Sequence, residues 1–365
     1  MKLFLCGDVM TGRGIDQVLP HPSRPQLFES WVKSAVEYVA LAERSAGPIG
    51  RGQDFGYPWG DALAVLAQQR PDARIVNLET AVTTSEDAQP GKGIHYRMHP
   101  GNVPCLARAA IDCCVLANNH VLDWGHAGLA QTLASLHGAG LRTAGAGGNA
   151  QEAAAPAVIA LPQGRVLVFA FADESSGVPR GWAAGRTHGG VNLLESLSLH
   201  TADGICRAVA AQRKPGDVVV VSLHWGGNWG FEIPPEHSAF ARRLLDGGGA
   251  DIVHGHSSHH VKGIEVHGGK PILYGCGDFL NDYEGIGGYG EFRGELSLMY
   301  FPELDAATGK LQRLQAVPMR TRRLRLERAP AEGAAWLRTT LDREGRALGT
   351  RVVAADDGGA LALAW

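Results

Sequence analysis

Short apolar runs that each stop at an acid, an amide or a histidine constrain this chain more than any other feature. Lys2-Leu3-Phe4-Leu5-Cys6 leads to Asp8, and Arg74-Ile75-Val76-Asn77-Leu78 leads to Glu79. Asp112 to Leu116 leads to Asn118-Asn119-His120, with Asp123 close behind. The Val-rich run from Asp217 to Leu223 ends at His224. Asp251 to Val253 runs into His254 and His256, followed by His259 and His260. Pro271 to Tyr274 precedes Asp278 and Asp282. Stretches of helical period lie between: Leu27 to Leu41, Asp61 to Gln69, Val103 to Ala110, Gly128 to His137, around Ala202 to Arg213, and His237 to Asp246. Strands that alternate with helices read as βαβ units, which makes the fold class α/β. In a mainly parallel sheet, polar residues just past the strand ends share one rim and face ligand.

One Asp after a strand is an ordinary turn or cap residue. One buried histidine is an ordinary structural residue. A whole rim of them is different. Imidazole suits borderline metals, and carboxylate and amide oxygens suit harder ones. The mixture fits Mn, Fe, Zn or, with water completing the shell, Ca. A histidine beside a carboxylate also has its tautomer fixed and its basicity raised. The rim can therefore hold a metal and acid/base pairs together.

Composition narrows the alternatives. With 34 Lys+Arg against 37 Asp+Glu and a net charge of -3, the chain lacks the excess that nucleic acid or an anionic membrane surface demands. Apolar residues at 45% and charged residues at 19% make it globular. Fifteen histidines point to metal or proton chemistry. Cys6, Cys105, Cys113, Cys114, Cys206 and Cys276 form no CxxC pair and read as small buried hydrophobes in a reduced compartment. No apolar run reaches the roughly 18 to 20 residues of a membrane span, and no signal peptide is visible. The expectation is a cytoplasmic protein with no membrane or nucleic-acid partner. It has one large domain over residues 1–325 and an appendage, residues 326–365, packed on it.

Several blocks together resemble the CapA-like branch of the calcineurin-like metallophosphoesterase superfamily. They are Gly-Asp-Val-Met around Asp8, Asn-Leu-Glu-Thr around Glu79, Ala-Asn-Asn-His ending at His120, and His-Trp-Gly at His224. Gly-His-Ser-Ser-His-His from Gly255, Tyr-Gly-Cys-Gly-Asp-Phe around Asp278 and His-Tyr-Arg-Met-His-Pro from His95 belong with them. The resemblance covers about residues 1 to 300. It implies a four-layer α/β/β/α sandwich with a metal site at the strand C-termini. It also implies that Asp8, Glu79, Asn119, His224, His256 and either His259 or His260 surround a divalent ion (Ca, Mn or Zn). His120 becomes a general acid or an orienting residue. The chain departs from the superfamily pattern in three places. Met10 replaces the histidine of Asp-x-His, Glu79 replaces the bridging Asp, and two serines separate His256 from His259. These departures point to one metal rather than two.

Some members of the branch are membrane-anchored proteins of poly-γ-glutamate capsule synthesis. Without an anchor, this chain is similar to the lasso-peptide epimerases. That likeness implies inversion of the Cα of the C-terminal residue of a ribosomal precursor peptide, which would be the partner. Inversion needs one group to remove a proton and another to deliver one on the opposite face. Histidine backed by aspartate suits both tasks. One candidate set is His120 with Asp123 or Asp8. The other draws on His256, His259 or His260 with Asp278 or Asp282. His120, Asp123, His259 and Asp278 are the expected catalytic residues, and Asp8, Glu79, Asn119, His224, His256 and His260 the expected metal ligands. Arg97 is the candidate carboxylate clamp. Trp225 and Trp229 are candidate walls of a substrate pocket, and Ser175 to Gly190 is a candidate lid. Two alternatives stand beside the epimerase: a metal-dependent phosphoesterase or other hydrolase, and a non-catalytic protein of poly-γ-glutamate synthesis.

Overall fold

The run Val218-Val219-Val220-Val221 has no polar alternation, and a strand can be apolar on both faces only where both are covered. The computed structural model, which describes residues 1–355 and 359–365, shows both covers. Val218 and Val220 join a large inner core with Leu3, Leu5 and Ile75. Val219 and Val221 pack with Val209, Phe240 and Leu244 from the helices Leu199–Ala210 and Pro235–Asp246. The strand Val218–His224 lies in a six-stranded sheet between Gly164–Ala172 and Ile252–His256, parallel to both.

A ten-stranded sheet supplies the other half of the inner core. Its strand Leu3–Val9 runs parallel to Ala73–Leu78 on one side and antiparallel to Leu296–Leu304 on the other. Cys113–Val115 and Arg142–Ala144 continue the parallel side. The helices Ala62–Gln69 and Gly125–Gly138 bring Val65, Leu66, Leu129 and Leu136 to the same core. His254 Nε2 meets the Cys6 carbonyl oxygen at 2.7 Å and ties one sheet to the other. The result is the layered α/β/β/α arrangement that the resemblance implies.

Two details position the site. Asp278–Leu280 pairs in parallel with Leu3–Val9, with Asp278 opposite Asp8. Gly7 permits this approach, because a Cβ there would lie 1.5 Å from the Gly277 carbonyl oxygen. The helix expected from Leu27 begins only at Ala35. Ser34 caps it, and Glu29 in the preceding irregular segment turns inward to the Arg13 guanidinium at 2.8 Å. After Arg325–Arg328, the helix Ala331–Gly345 leads to a strand pair, Arg351–Ala354 with Leu361–Ala364. Its second strand extends the large sheet beside Leu311–Arg322. All six cysteines are buried and free. Among the described residues, no helix is long and apolar enough to cross a membrane.

Candidate metal centre

Parallel strands of both sheets end at one seam, and the ends at Asp8, Glu79, Asn118, His224 and His256 deliver polar side chains into it. Asn77 donates to Asp8 Oδ1 at 2.8 Å and to Glu79 Oε2 at 3.2 Å. Asn118 donates in turn to Asn77 Oδ1 at 3.0 Å and to the Leu78 carbonyl at 2.9 Å. The turn after His256 holds Ser257 at φ 97°, a left-handed conformation unusual for a residue with a side chain. It presents the Ser257 N–H to Asp8 Oδ2 at 3.2 Å. The two inserted serines thus build a turn that fixes Asp8.

Asp8 belongs to two donor sets. One is Asp8 with His224 and His256, the other Asp8 with His259 and Asp278. Within each set the donor atoms lie within 4.8 Å of one another. Glu79 Oε1 stands 4.0 Å from His224 Nε2, and Asn119 Oδ1 lies 3.3 Å from the same nitrogen. In place of the single metal position expected from sequence, the structure offers two adjacent sets that share one carboxylate.

The electrostatics favour a cation. Burial, then neighbouring Asp278, raises the Asp8 carboxyl to about 7. Burial, then Asp8 and Asp278, pushes Glu79 well above the carboxylate range. Burial and nearby histidines hold His224 and His256 well below the imidazole value. Neutral imidazoles are the form that binds metal, and a divalent ion would displace the protons these crowded carboxylates otherwise retain. The mixed oxygen and nitrogen donors therefore fit a divalent metal, without selecting its identity.

A second cluster borders the first. His120 Nδ1 lies 2.6 Å from Asp123 Oδ2, which also accepts the Tyr96 N–H at 2.6 Å. Donation of Nδ1–H to Asp123 leaves Nε2 as the lone-pair nitrogen, 3.8 Å from Glu79 Oε1. Lys92 bonds Asp123 and the Asn119 carbonyl oxygen and lies over the Trp182 ring. Burial, against the opposing pull of Asp123, lowers His120 to about 4. Burial raises Asp123, but His120 and Lys92 outweigh it and leave the carboxyl below its usual range. His259 Nδ1 contacts Asp278 Oδ1 at 2.7 Å. Burial opposes its charge, yet Asp278 prevails and raises its pKa.

Not every candidate reaches the seam. His260 does not join Asp8. The chain bends after the strand Ile252–His256, so that His259 contacts Asp278 while His260 stacks on Phe292, with ring centroids 4.5 Å apart. Arg97 does not face the seam. Its guanidinium donates to the Ser85 and Arg24 carbonyls at 2.7 and 2.9 Å and covers Trp124. Trp225 is a core residue, stacked on His237 at 4.4 Å and donating to the Tyr274 carbonyl. Trp229 does line a cavity of about 660 Å³ that opens beside His259. Lys92 and Arg13 escaped the sequence reading. Each stands in a Gly-x-Gly step next to a recognised block, Gly91-Lys92-Gly93 before His95 and Gly12-Arg13-Gly14 after Asp8. Arg13 is buried in that cavity wall and pairs with Glu29 and Asp282.

The profile of the bacterial capsule synthesis protein family PGA_cap matches residues 2–283. A Mycobacterium tuberculosis (strain CDC 1551) protein named "Probable polyglutamine synthesis accessory protein" is 48% identical over 359 residues, covering 98% of this chain and 94% of its own. The "PGA biosynthesis protein CapA" of Bacillus subtilis is 27% identical over 278 residues, covering 76% of this chain and 62% of its own. The "Capsule biosynthesis protein CapA" of Bacillus anthracis is 28% identical over 191 residues, covering 52% of this chain and 45% of its own. The chain belongs to the PGA_cap family of bacterial capsule synthesis proteins. These matches support the CapA-like resemblance and lend none to the likeness with lasso-peptide epimerases.

Proposed function

We propose that this member of the capsule synthesis family is a metal-binding accessory protein in the synthesis of a glutamate-type polymer. The relatives' names support the process, and the seam supports the metal. One observation carries the second half: Asp8 is shared by two buried donor sets and crowded by Asp278 and Glu79, carboxylates that disfavour one another's charge without a cation. A metal bound there would supply a Lewis acid for an anionic or carbonyl oxygen. The chain's own residues do the rest. Asn77 and Ser257 hold Asp8 in place. His120, oriented by Asp123, which Lys92 holds in turn, offers or accepts a proton at Nε2 beside Glu79. The cavity of about 660 Å³ beside His259 is the place for the substrate to enter.

The test is genetic and chemical. Deleting the gene in its own host is expected to lower the polymer, and the native gene restores it. Complementation with Asp8→Asn is expected to fail. Full restoration by that variant would mean the metal seam plays no part, leaving a scaffold role. Metal-assisted inversion of a peptide Cα is a second reading, favoured by the His120–Asp123 and His259–Asp278 pairs that border the Asp8–Glu79 seam. Uptake of one deuteron from D₂O into a precursor peptide, with a new D-residue, supports it; no uptake removes it. Release of phosphate from a generic phosphoester would instead favour a hydrolase.

A further inference from the structure

The cavity beside His259 is lined in two contrasting ways. Trp229 and Tyr289 stack face to face with centroids 4.1 Å apart, and they join two glycine-rich loops into an aromatic floor. Arg320 and Arg322 lie among the last residues of the strand Leu311–Arg322. The acidic side chains in the same lining are engaged. Glu295 pairs with Arg293, and Glu284 accepts the Leu324 N–H at 3.2 Å. Arg13 is likewise committed to Glu29 and Asp282. Arg320 is not fully committed. Among the described residues its ion pair to Glu327 is long at 3.4 Å, and its buried Nε lacks a hydrogen-bond partner.

Resting on the polymer-synthesis reading, we infer that this cavity binds the polymer chain itself and selects glutamate over glutamine residues. Arg320 and Arg322 receive the side-chain carboxylates, and Trp229 with Tyr289 carries the chain between them and the metal seam. The volume of about 660 Å³ is enough for several residues of an extended polyamide. A guanidinium presents only donors, so it matches a carboxylate on both oxygens. Against a glutamine amide, one side of that match becomes a donor facing a donor. Glutamine is therefore rejected by unpaired groups rather than by size.

The probes are α-linked pentaglutamate and length-matched α-linked pentaglutamine, which differ only in carboxylate against amide. Each is titrated into the full-length, metal-loaded protein and followed by calorimetry and by quenching of tryptophan fluorescence. Pentaglutamate is expected to bind at least about tenfold more tightly than pentaglutamine. Arg320→Gln with Arg322→Gln is expected to erase that preference while metal content stays at the native level. Trp229→Ala is expected to weaken both peptides alike. Equal binding of the two peptides, no binding of either, or an unaffected double variant overturns the inference. Because metal content and polymer yield in the host are read separately, such a failure is distinguishable from failure of the polymer-synthesis reading.

Discussion

Asp8 lies opposite Asp278 across a parallel strand pair, and the two backbones touch through Gly7 and Gly277. The Asp8 N–H donates to the Gly277 carbonyl oxygen at 3.0 Å. Two carboxylates therefore face one another in a buried seam, held there by backbone geometry. Gly7→Ala places a methyl group where only 1.5 Å is free. The strand Asp278–Leu280 must then part from Leu3–Val9. We expect a loss of about 3 kcal/mol or more in urea unfolding, together with weaker metal binding. A variant with native stability would show that the two strands can separate without cost.

His120 has a different role. Its partner Asp123 has its counter-charge in Lys92, so His120→Ala does not strand a buried carboxylate. The fold is expected to survive, as read by circular dichroism and melting temperature. Polymer yield in complemented cells is expected to fall by at least about a hundredfold, the scale of a lost proton-transfer group. Native yield would remove His120 from the chemistry.

The centre of the site was legible in sequence because its residues share one simple property. Asp8, Glu79, His224 and His256 follow directly on apolar strands, and a parallel sheet brings such ends together whatever the loops do. What failed was direction. Arg97 and Trp225 sit beside recognised blocks, yet their side chains turn into the protein. Whether His259 or His260 faces Asp8 depends on the path of a bend that includes the left-handed Ser257, which strand periodicity does not foretell. Lys92 lies in an irregular segment with no period to place it. The nearness of Asp278 to Asp8 depends on a strand pairing between residues distant in the chain, visible only once Gly7 and Gly277 are in contact.

The two donor sets can be counted separately. His224→Ala removes a donor from the first set alone, and His259→Ala from the second alone. Asp8→Asn weakens both. Metal per chain, measured by mass spectrometry after dialysis, is expected to fall by about half in either histidine variant and nearly to zero in Asp8→Asn. If His259→Ala keeps the native content, the second set holds no metal, and His259 with Asp278 is left to acid/base work.

Protonation makes a further, signed prediction for the metal-free protein. Six buried histidines, His120, His224, His237, His254, His256 and His260, are held below the ordinary value of 6.5, burial being the first cause in each. Below that value the unfolded chain binds protons that the folded chain refuses, so stability rises with pH up to about 6.5. Asp8 acts in the opposite sense. Burial and then Asp278 raise it from 3.8 to about 7, and Glu79 is raised with it. In that window the folded state holds the extra protons. Their contribution is complete below the unfolded value and is lost as pH rises through about 7. His259, raised by Asp278 against the effect of burial, adds to the same loss. The chelated protein is therefore expected to be most stable near pH 6.5 and to weaken on both sides. A divalent ion takes the place of the protons on Asp8 and Glu79, so its stabilising effect grows with pH and the alkaline decline disappears. Melting temperatures from about pH 5 to about pH 9, with chelator and with metal, check both limbs. A chelated protein that keeps gaining stability above about pH 7 would show that the seam's carboxylates are already ionised without a cation, which removes the electrostatic argument for the metal.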